Sequence, residues 1–181
     1  TCGTYSNVAG GACNTACDVF TGIAGGCGNI TNGRSSNIAG GESNTTSGTC
    51  AHVGGGNNNT ASGASSNVAG GSTNSALSAC STVGGGANNE ADNIYATVAG
   101  GSTNTASGSA SNVAGGESNT ACGDYSNVAG GQCNTVTGIA AAVAGGCKNS
   151  ASGIFSNVAG GNNNRASSLY SSVAGGLSGT A

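Results

Sequence analysis

The sequence has no proline, methionine or tryptophan, a single histidine, and few charged or aromatic residues. Charged residues make up 5% of the 181 residues, and aromatic residues 3%. No apolar run approaches the roughly 18 residues of a membrane-spanning helix. Lys and Arg together number 3 and the formal net charge is −3, which leaves little positive charge for nucleic-acid phosphates. These shortages argue against a helical membrane protein and a nucleic-acid-binding protein.

Glycine, in contrast, supplies 37 residues. This abundance argues against long helices, because each interior Gly costs about 1 kcal/mol relative to Ala. Collagen is excluded, because Gly does not recur at every third residue and proline is absent. Low charge and few aromatic residues would also fit a disordered chain. A strict internal repeat argues for an ordered one.

A V/I-A/G-G-G motif recurs every 15 residues in twelve copies, with no insertion between them. Its first residues are Val8, Ile23, Ile38, Val53, Val68, Val83, Val98, Val113, Val128, Val143, Val158 and Val173. With the Val/Ile residue as position 1, the consensus is V-A-G-G-x-x-N-T-A-S-G-x-Y-S-N. A short fixed period indicates one structural unit that stacks repeatedly.

The repeat length fits one coil of a β-solenoid, with two short strands and two tight turns. We therefore predict an all-β fold, a parallel β-solenoid (β-roll) of twelve 15-residue coils, in which residues 1–181 form a single repeat domain. With strands about 4.8 Å apart, the rod would be about 58 Å long. Because both termini fall at position 9, within a coil, we expect a segment of a longer array.

Side-chain alternation along a strand predicts which positions face inward. We predict one strand over positions 14 to 3, with positions 14, 1 and 3 inward, and a second over positions 6 to 10, with positions 7 and 9 inward. The charged residues Lys148, Glu90, Arg165 and Asp92 fall at positions 6, 8, 8 and 10, all predicted to face outward. Glycines at positions 3, 4 and 11 are predicted at corners, where positive φ or close backbone approach is needed.

Position 7 is Asn in eleven coils and Gly179 in the last. Two interpretations are open. The stacked amides could form an internal hydrogen-bonded ladder, as Asn does in cross-β stacks, or Asn could simply favour a turn. We favour the ladder, and either role is structural.

The string Ser6-Asn7-Val8-Ala9-Gly10-Gly11 and its eleven copies resemble the head repeat of YadA-type trimeric autotransporter adhesins, which has an S-V-A-I-G core and a similar length. Similar Gly-rich repeats occur in phage and viral fibre proteins. The resemblance covers the whole chain. It implies a left-handed parallel β-roll, three chains side by side, and a surface or fibre location. The chain departs from that core where Gly, as at Gly10, replaces the Ile.

Positions 13 to 4 carry no Asp, Glu, Lys or Arg in any coil. All aromatic residues fall at position 13, namely Tyr5, Phe20, Tyr95, Tyr125, Phe155 and Tyr170. Position 2 is always Ala or Gly and includes Ala9, Ala24, Ala39, Ala99 and Ala114. Short polar side chains need no partner, but so long a charge-free stripe is unusual on a monomer. We therefore predict that it contacts another copy in a homo-oligomer, either a trimer or a filament.

Nine cysteines indicate an oxidising compartment, and hence an extracellular or cell- or virion-surface location. Three pairs lie one coil apart: Cys2 with Cys17, Cys13 with Cys27, and Cys133 with Cys147. Adjacent coils place Cα atoms about 5 Å apart, within disulfide range, so we predict these three bridges. Cys50 and Cys80 lie two coils apart and Cys122 has no partner, so these three are free, buried or paired between chains.

No group of residues indicates catalysis. The only histidine, His52, has no candidate nucleophile or orienting carboxylate beside it, as a triad would need. Glu90 and Asp92 form a single carboxylate pair on one strand, which is more typical of a solvated pair than of a glycosidase. We predict no enzyme, no cofactor and no metal site.

Three N-x-S/T sequences begin at Asn29, Asn44 and Asn58. The first two belong to the Asn column predicted to face inward. Asn58, at position 6, is predicted to face outward and is the candidate for glycosylation.

The uniform coils predict a structural module of an extracellular fibre, filament or adhesin, a stacked and disulfide-stapled rod. The alternative is an ice-binding (antifreeze) β-solenoid, because Thr and Ser recur at positions 8 and 10. That face includes Thr45, Ser47, Thr60, Ser62, Thr105, Ser107, Thr135 and Thr137. Leu77, Glu90, Asp92 and Arg165 interrupt the same columns, which argues against the alternative.

Overall fold

The computed structural model describes all 181 residues as a parallel β-solenoid without helices. One sheet contains 12 strands and the other 11, and each strand pairs with the strands of the neighbouring coils. Val83, for example, lies opposite Val68 and Val98, each 15 residues away. The predicted fold class and pairing register are confirmed. The predicted twelve coils match the first sheet, and the second sheet has one strand fewer.

Every strand is two residues long. The first sheet consists of Asn7–Val8, Gly22–Ile23, Asn37–Ile38, His52–Val53, Asn67–Val68, Thr82–Val83, Thr97–Val98, Asn112–Val113, Asn127–Val128, Ala142–Val143, Asn157–Val158 and Ser172–Val173. The second consists of Thr15–Ala16, Ile30–Thr31, Thr45–Thr46, Thr60–Ala61, Ser75–Ala76, Glu90–Ala91, Thr105–Ala106, Thr120–Ala121, Thr135–Val136, Ser150–Ala151 and Arg165–Ala166. The strands occupy positions 15 to 1 and 8 to 9 and are shorter than predicted. Isolated bridges also join position 5 of successive coils, from Ala12 to Leu177.

The core is a single cluster built mainly from the Val/Ile column at position 1 and the Ala column at position 9. Position 14 and the Asn column at position 7 are buried along nearly all of the rod, so four of the five positions predicted to face inward are confirmed. Position 3 is wrong. A methyl group added at Gly10, Gly25 or Gly100 would meet no atom within 4 Å. Side-chain alternation fails there because the strand ends at position 1, before it reaches position 3.

The corners depend on left-handed backbone at both glycine and non-glycine positions. Gly86, at position 4, has φ +89°, and a Cβ there would overlap the Gly101 carbonyl oxygen of the next coil. Gly48, at position 11, is required for close approach alone, because its Cβ would overlap the carbonyl oxygen of Gly63. All non-glycine residues with positive φ fall at positions 6 and 13, which the sequence analysis did not anticipate. At position 13 their φ values run from 52° to 61°.

The Asn column ties each coil to its neighbours through side chain–backbone hydrogen bonds. The Oδ1 atom of Asn104 accepts the backbone N–H of Asn119 in the next coil at 2.9 Å. Its Nδ2 atom donates to the carbonyl oxygens of Gly100 at 3.0 Å and Gly116 at 2.9 Å. Direct amide–amide bonds occur in only a few pairs, such as Asn134 to Asn119 at 3.2 Å. The internal column is confirmed, but its bonds run mainly to backbone, so each Asn also holds the glycine turn.

We predict that Asn104→Ala lowers the free energy of unfolding by about 2 kcal/mol or more, because it leaves the Asn119 N–H and the Gly100 carbonyl without hydrogen-bond partners and removes one of the two bonds to the Gly116 carbonyl. The matched control is Asn112→Ala, because Asn112 is half-buried on the outward side of the first sheet. That change should stay within about 0.5 kcal/mol. Chemical denaturation of both variants measures the difference. Equal losses would contradict the assigned role of the internal column.

A glycine pair tests the corner geometry. Gly86→Ala should lower the melting temperature markedly, because the new Cβ would overlap Gly101 and lie 2.7 Å from the Asn89 side-chain amide. Gly100→Ala, one position earlier in its own coil, should change it little, because the space there is open. Thermal unfolding followed by circular dichroism gives both values. A larger loss from Gly100→Ala would show that the inward and outward glycines are reversed.

Candidate interaction surfaces

The surface of the rod contains no pocket, and no three His, Cys, Asp or Glu residues come close enough together to hold a metal ion. No helix is present that could cross a membrane. The candidate sites are therefore the two flat sheet faces and the corners between them.

The outward side of the first sheet is a charge-free face of two columns. Position 2 supplies exposed methyl groups, and the predicted contact residues among them are exposed, namely Ala9, Ala24, Ala39, Ala99 and Ala114. Position 15, just before the Val/Ile residue, supplies exposed or half-buried polar side chains, most often Asn. Because these side chains are short and uncharged, covering the face would bury no ionised group, and its Asn amides would need hydrogen-bond partners.

The aromatic residues lie at the corner that precedes this face, one position before the predicted first strand. Their exposed fractions are 76% for Tyr5, 53% for Phe20, 63% for Tyr95, 68% for Tyr125, 50% for Phe155 and 69% for Tyr170. Rings in adjacent coils stack: Tyr5 and Phe20 have centroids 5.1 Å apart and planes inclined by 5°. Phe155 and Tyr170 repeat this arrangement at 5.2 Å and 6°. Six exposed rings in one corner column form an apolar patch, which is the kind of feature that marks an interaction site.

Large aliphatic residues lie beside the aromatic residues at position 12. Ile94, Ile139, Ile154 and Leu169 are 47%, 47%, 44% and 61% exposed. All four belong to the second half of the chain, where they make the corner largely apolar, with Ser109 and Asp124 as the polar residues of position 12. Because position 12 is variable in sequence, the repeat pattern did not predict this apolar corner. The large aliphatic residues that cluster at position 12 in the second half of the chain could have indicated it.

The outward side of the second sheet carries the Thr and Ser residues of the ice-binding alternative. Thr45, Thr60, Thr105 and Thr135 begin strands at position 8 and are half-buried. The hydroxyl residues at position 10 are Ser47, Ser62, Ser107 and Thr137, and they are exposed or half-buried. The structure thus brings the eight residues onto one face. Glu90 and Arg165 begin strands of the same face, so charged side chains interrupt it.

One of the three predicted disulfides forms, between Cys2 and Cys17, whose Cα atoms are 4.6 Å apart. The other two are corrected, because Cys13, Cys27, Cys133 and Cys147 are free thiols. The difference is geometric: Cys2 and Cys17 share position 10 and lie directly opposite each other. The residue opposite Cys27 is Ala12, and the residue opposite Cys147 is Gln132, so each of these pairs is diagonal. Cys50, Cys80 and Cys122 are also free and are exposed.

The remaining candidate residues are dispersed. His52 is half-buried on the first sheet and pairs in register with Asn37 and Asn67. Glu90 and Asp92 flank the buried Ala91 on the second sheet. Among the three sequences that could accept a glycan, Asn29 and Asn44 are fully buried and Asn58 is exposed.

No protein-family model matches the chain, and no curated protein matches it.

Proposed function

We propose that the chain is a structural module of an extracellular fibre, filament or adhesin, and that it acts as a stiff rod without catalytic or cofactor chemistry. The uninterrupted stack of coils carries this proposal. A Val/Ile column runs through all twelve coils and an Asn column through eleven, with one pairing register, and no loop departs from the stack. Because every coil has the same length and pairs in the same register, the chain forms an extended rod with flat faces. This shape suits a scaffold.

Two features support an extracellular setting. The chain contains nine cysteines, and Cys2 and Cys17 are joined in a disulfide, which persists in oxidising compartments. Asn58 is exposed within an N-x-T sequence and would accept a glycan in a secretory compartment. The resemblance to adhesin head repeats points to the same setting.

The proposal includes lateral self-association through the charge-free face. Each coil buries one Val or Ile, with Val136 as the one addition, and otherwise small residues, so the interior alone provides modest apolar burial. The exposed Ala column allows the backbones of two rods to approach closely, and the absence of charge along the face means that no ionised side chain has to be desolvated. Exposed aromatic residues at its edge would then also become buried.

Two charges placed on this face test the contact. Ala99→Glu combined with Ala114→Glu should dissociate the assembly, because unpaired carboxylates would be buried between the rods. Ser107→Glu, on the other sheet, should leave the assembly intact. Light scattering measures the mass, and circular dichroism checks that the rod remains folded. An Ala99→Glu/Ala114→Glu protein that kept its assembled mass would overturn the proposed face.

Electron microscopy of the unmodified chain should show bundled rods or filaments, and isolated short rods would contradict the fibre role.

Ice binding is a second candidate, favoured by one observation. Pairs of Thr and Ser at positions 8 and 10 recur on a flat parallel sheet, in which adjacent coils repeat at about 4.8 Å. Regularly spaced hydroxyl and methyl groups are suited to ordering water. The interruptions at Leu77, Glu90, Asp92 and Arg165 break that regularity, so it ranks second.

Thermal hysteresis of the soluble protein separates the two candidates. An ice-binding role predicts hysteresis that Thr60→Lys reduces severalfold, because a lysine would disrupt the face. Asn67→Lys, on the opposite sheet, should then have no effect. Absence of hysteresis in the unmodified protein, or equal loss in both variants, would remove this candidate and leave the structural role.

A further inference from the structure

In the second half of the rod, the corner column at position 13 alternates between aromatic residues and alanine. It reads Tyr95, Ala110, Tyr125, Ala140 and Phe155, and it ends with a second consecutive aromatic residue, Tyr170. The four rings are 50% to 69% exposed. All six residues share one left-handed backbone conformation, with φ between 52° and 58°, so their side chains leave the rod in the same way.

The spacing of one coil suits aromatic stacking. Phe155 and Tyr170 lie in adjacent coils and stack with centroids 5.2 Å apart, and Tyr5 and Phe20 stack in the same way. Where alanine intervenes, the flanking rings lie two coils apart, which is about 10 Å. Each such gap is a slot with an alanine methyl group at its base. It has room for one more ring at the spacing that the chain already uses.

Apolar side chains line most of the corner around the slots, and Ser109 and Asp124 are its polar residues at position 12. Ile94, Ile139, Ile154 and Leu169 flank the rings at position 12 and are about half exposed. Asp124 is the single charged residue of positions 12 and 13 in this region. One of its carboxylate oxygens accepts the backbone N–H of Ser109 at 2.9 Å, which holds the side chain along the corner. A ring that entered either slot would therefore be desolvated on both of its faces.

We propose that the slots take the rings of a second copy of this chain, in an antiparallel pair with an interdigitated aromatic column. This rests on the self-association proposed above and gives it a geometry. The two-fold axis lies midway between Ala110 and Tyr125. The partner's Tyr125 then lies opposite Ala110, and the partner's Tyr95 lies opposite Ala140. By symmetry the same two slots of the partner are filled, and four rings from each chain form one continuous stack.

The pattern excludes a parallel pair with the same contacts. If a parallel copy is shifted one coil towards the C-terminus, the partner's Phe155 reaches the level of Tyr170. If it is shifted one coil the other way, the partner's Tyr170 reaches the level of Phe155. In both cases two rings compete for one level. The antiparallel arrangement fills both alanine levels without such a collision, so the consecutive pair of aromatic residues at the end of the pattern fixes the orientation.

The area is adequate for a stable pair. Four aromatic and four aliphatic side chains, each about half exposed or more, could remove up to about 800 Å² per chain from water. A specific interface typically needs about 800 Å² per partner. The charge-free face lies next to this corner and could extend the contact.

Filling the slots from within the chain tests the proposal. Ala110→Phe combined with Ala140→Phe should weaken dimerisation at least tenfold in sedimentation velocity, because each slot would already hold a ring. If the copies associated only through nonspecific hydrophobic contact at this corner, two added phenylalanines would instead strengthen the association. Both sites tolerate a ring, because Tyr95 and Tyr125 have the same backbone conformation. Ser35→Phe, in the same column but outside the slots, should leave the dimer unchanged, and circular dichroism should show all three proteins folded. A slot-filled variant that remained dimeric would overturn the proposal.

Orientation is measured separately with spin labels. In a background that keeps only the Cys2–Cys17 pair and Cys50, the label-to-label distance across an antiparallel pair should be on the order of 40 Å. Moving the label one coil further from the axis, with Ser35→Cys in place of Cys50, should lengthen it by about 10 Å. Equal distances at the two sites would indicate a parallel pair and contradict the proposal.

The two sets of variants distinguish the aromatic column from the charge-free face as the contact that holds the copies together. If the slot-filled protein is monomeric while the Ala99→Glu/Ala114→Glu protein remains dimeric, the aromatic column holds the pair and the face contact is wrong. If the reverse is found, the face holds the copies together and the interdigitated column is wrong.

Discussion

The register of fifteen residues between coils is the constraint on which the rest of the structure depends. Each coil offers its neighbour the same donors and acceptors at the same heights, so backbone pairing extends from one coil to the next. The buried Asn column adds a second set of bonds that also joins coil to coil, because each Oδ1 accepts the next backbone N–H. A chain with one residue added in a single coil would lose both sets of bonds at that level.

This constraint explains the composition. Close stacking brings backbone carbonyl oxygens to the places where side chains would begin, so Gly86 and Gly48 admit no Cβ. The interior between the two sheets is narrow, and its side chains are Val, Ile, Ala, Ser, Thr and Asn. Large side chains are displaced to the corners, where Tyr95 and Phe155 stand out from the rod. Any function of this molecule therefore resides on its faces and edges, and a repeated fold produces repeated surface features.

Periodicity alone predicted the solenoid, the pairing register and four buried columns, because like residues that stack on like residues leave a direct trace in the sequence. The backbone conformation within each coil was harder to predict from the sequence. Cys133, at position 6, adopts left-handed backbone although it is not glycine, so the second strand begins only at position 8. The first strand ends at position 1, so the side-chain alternation does not extend to Gly100. The bridge between Cys2 and Cys17 was predicted correctly because both share one column. The diagonal pairs depended on corner geometry that a column count does not contain.

The uniform register also affects how such a sequence can change over time. Because every coil uses fifteen residues and contacts its two neighbours through the same columns, a duplication or loss of fifteen codons leaves the pairing of all other coils unchanged. Replication slippage or unequal recombination between near-identical coils would thus produce longer or shorter folded rods in a single event. Frame-preserving changes that are not a multiple of fifteen codons would disrupt the stack. Rod length is then a heritable trait that varies in discrete steps of one coil, about 4.8 Å each.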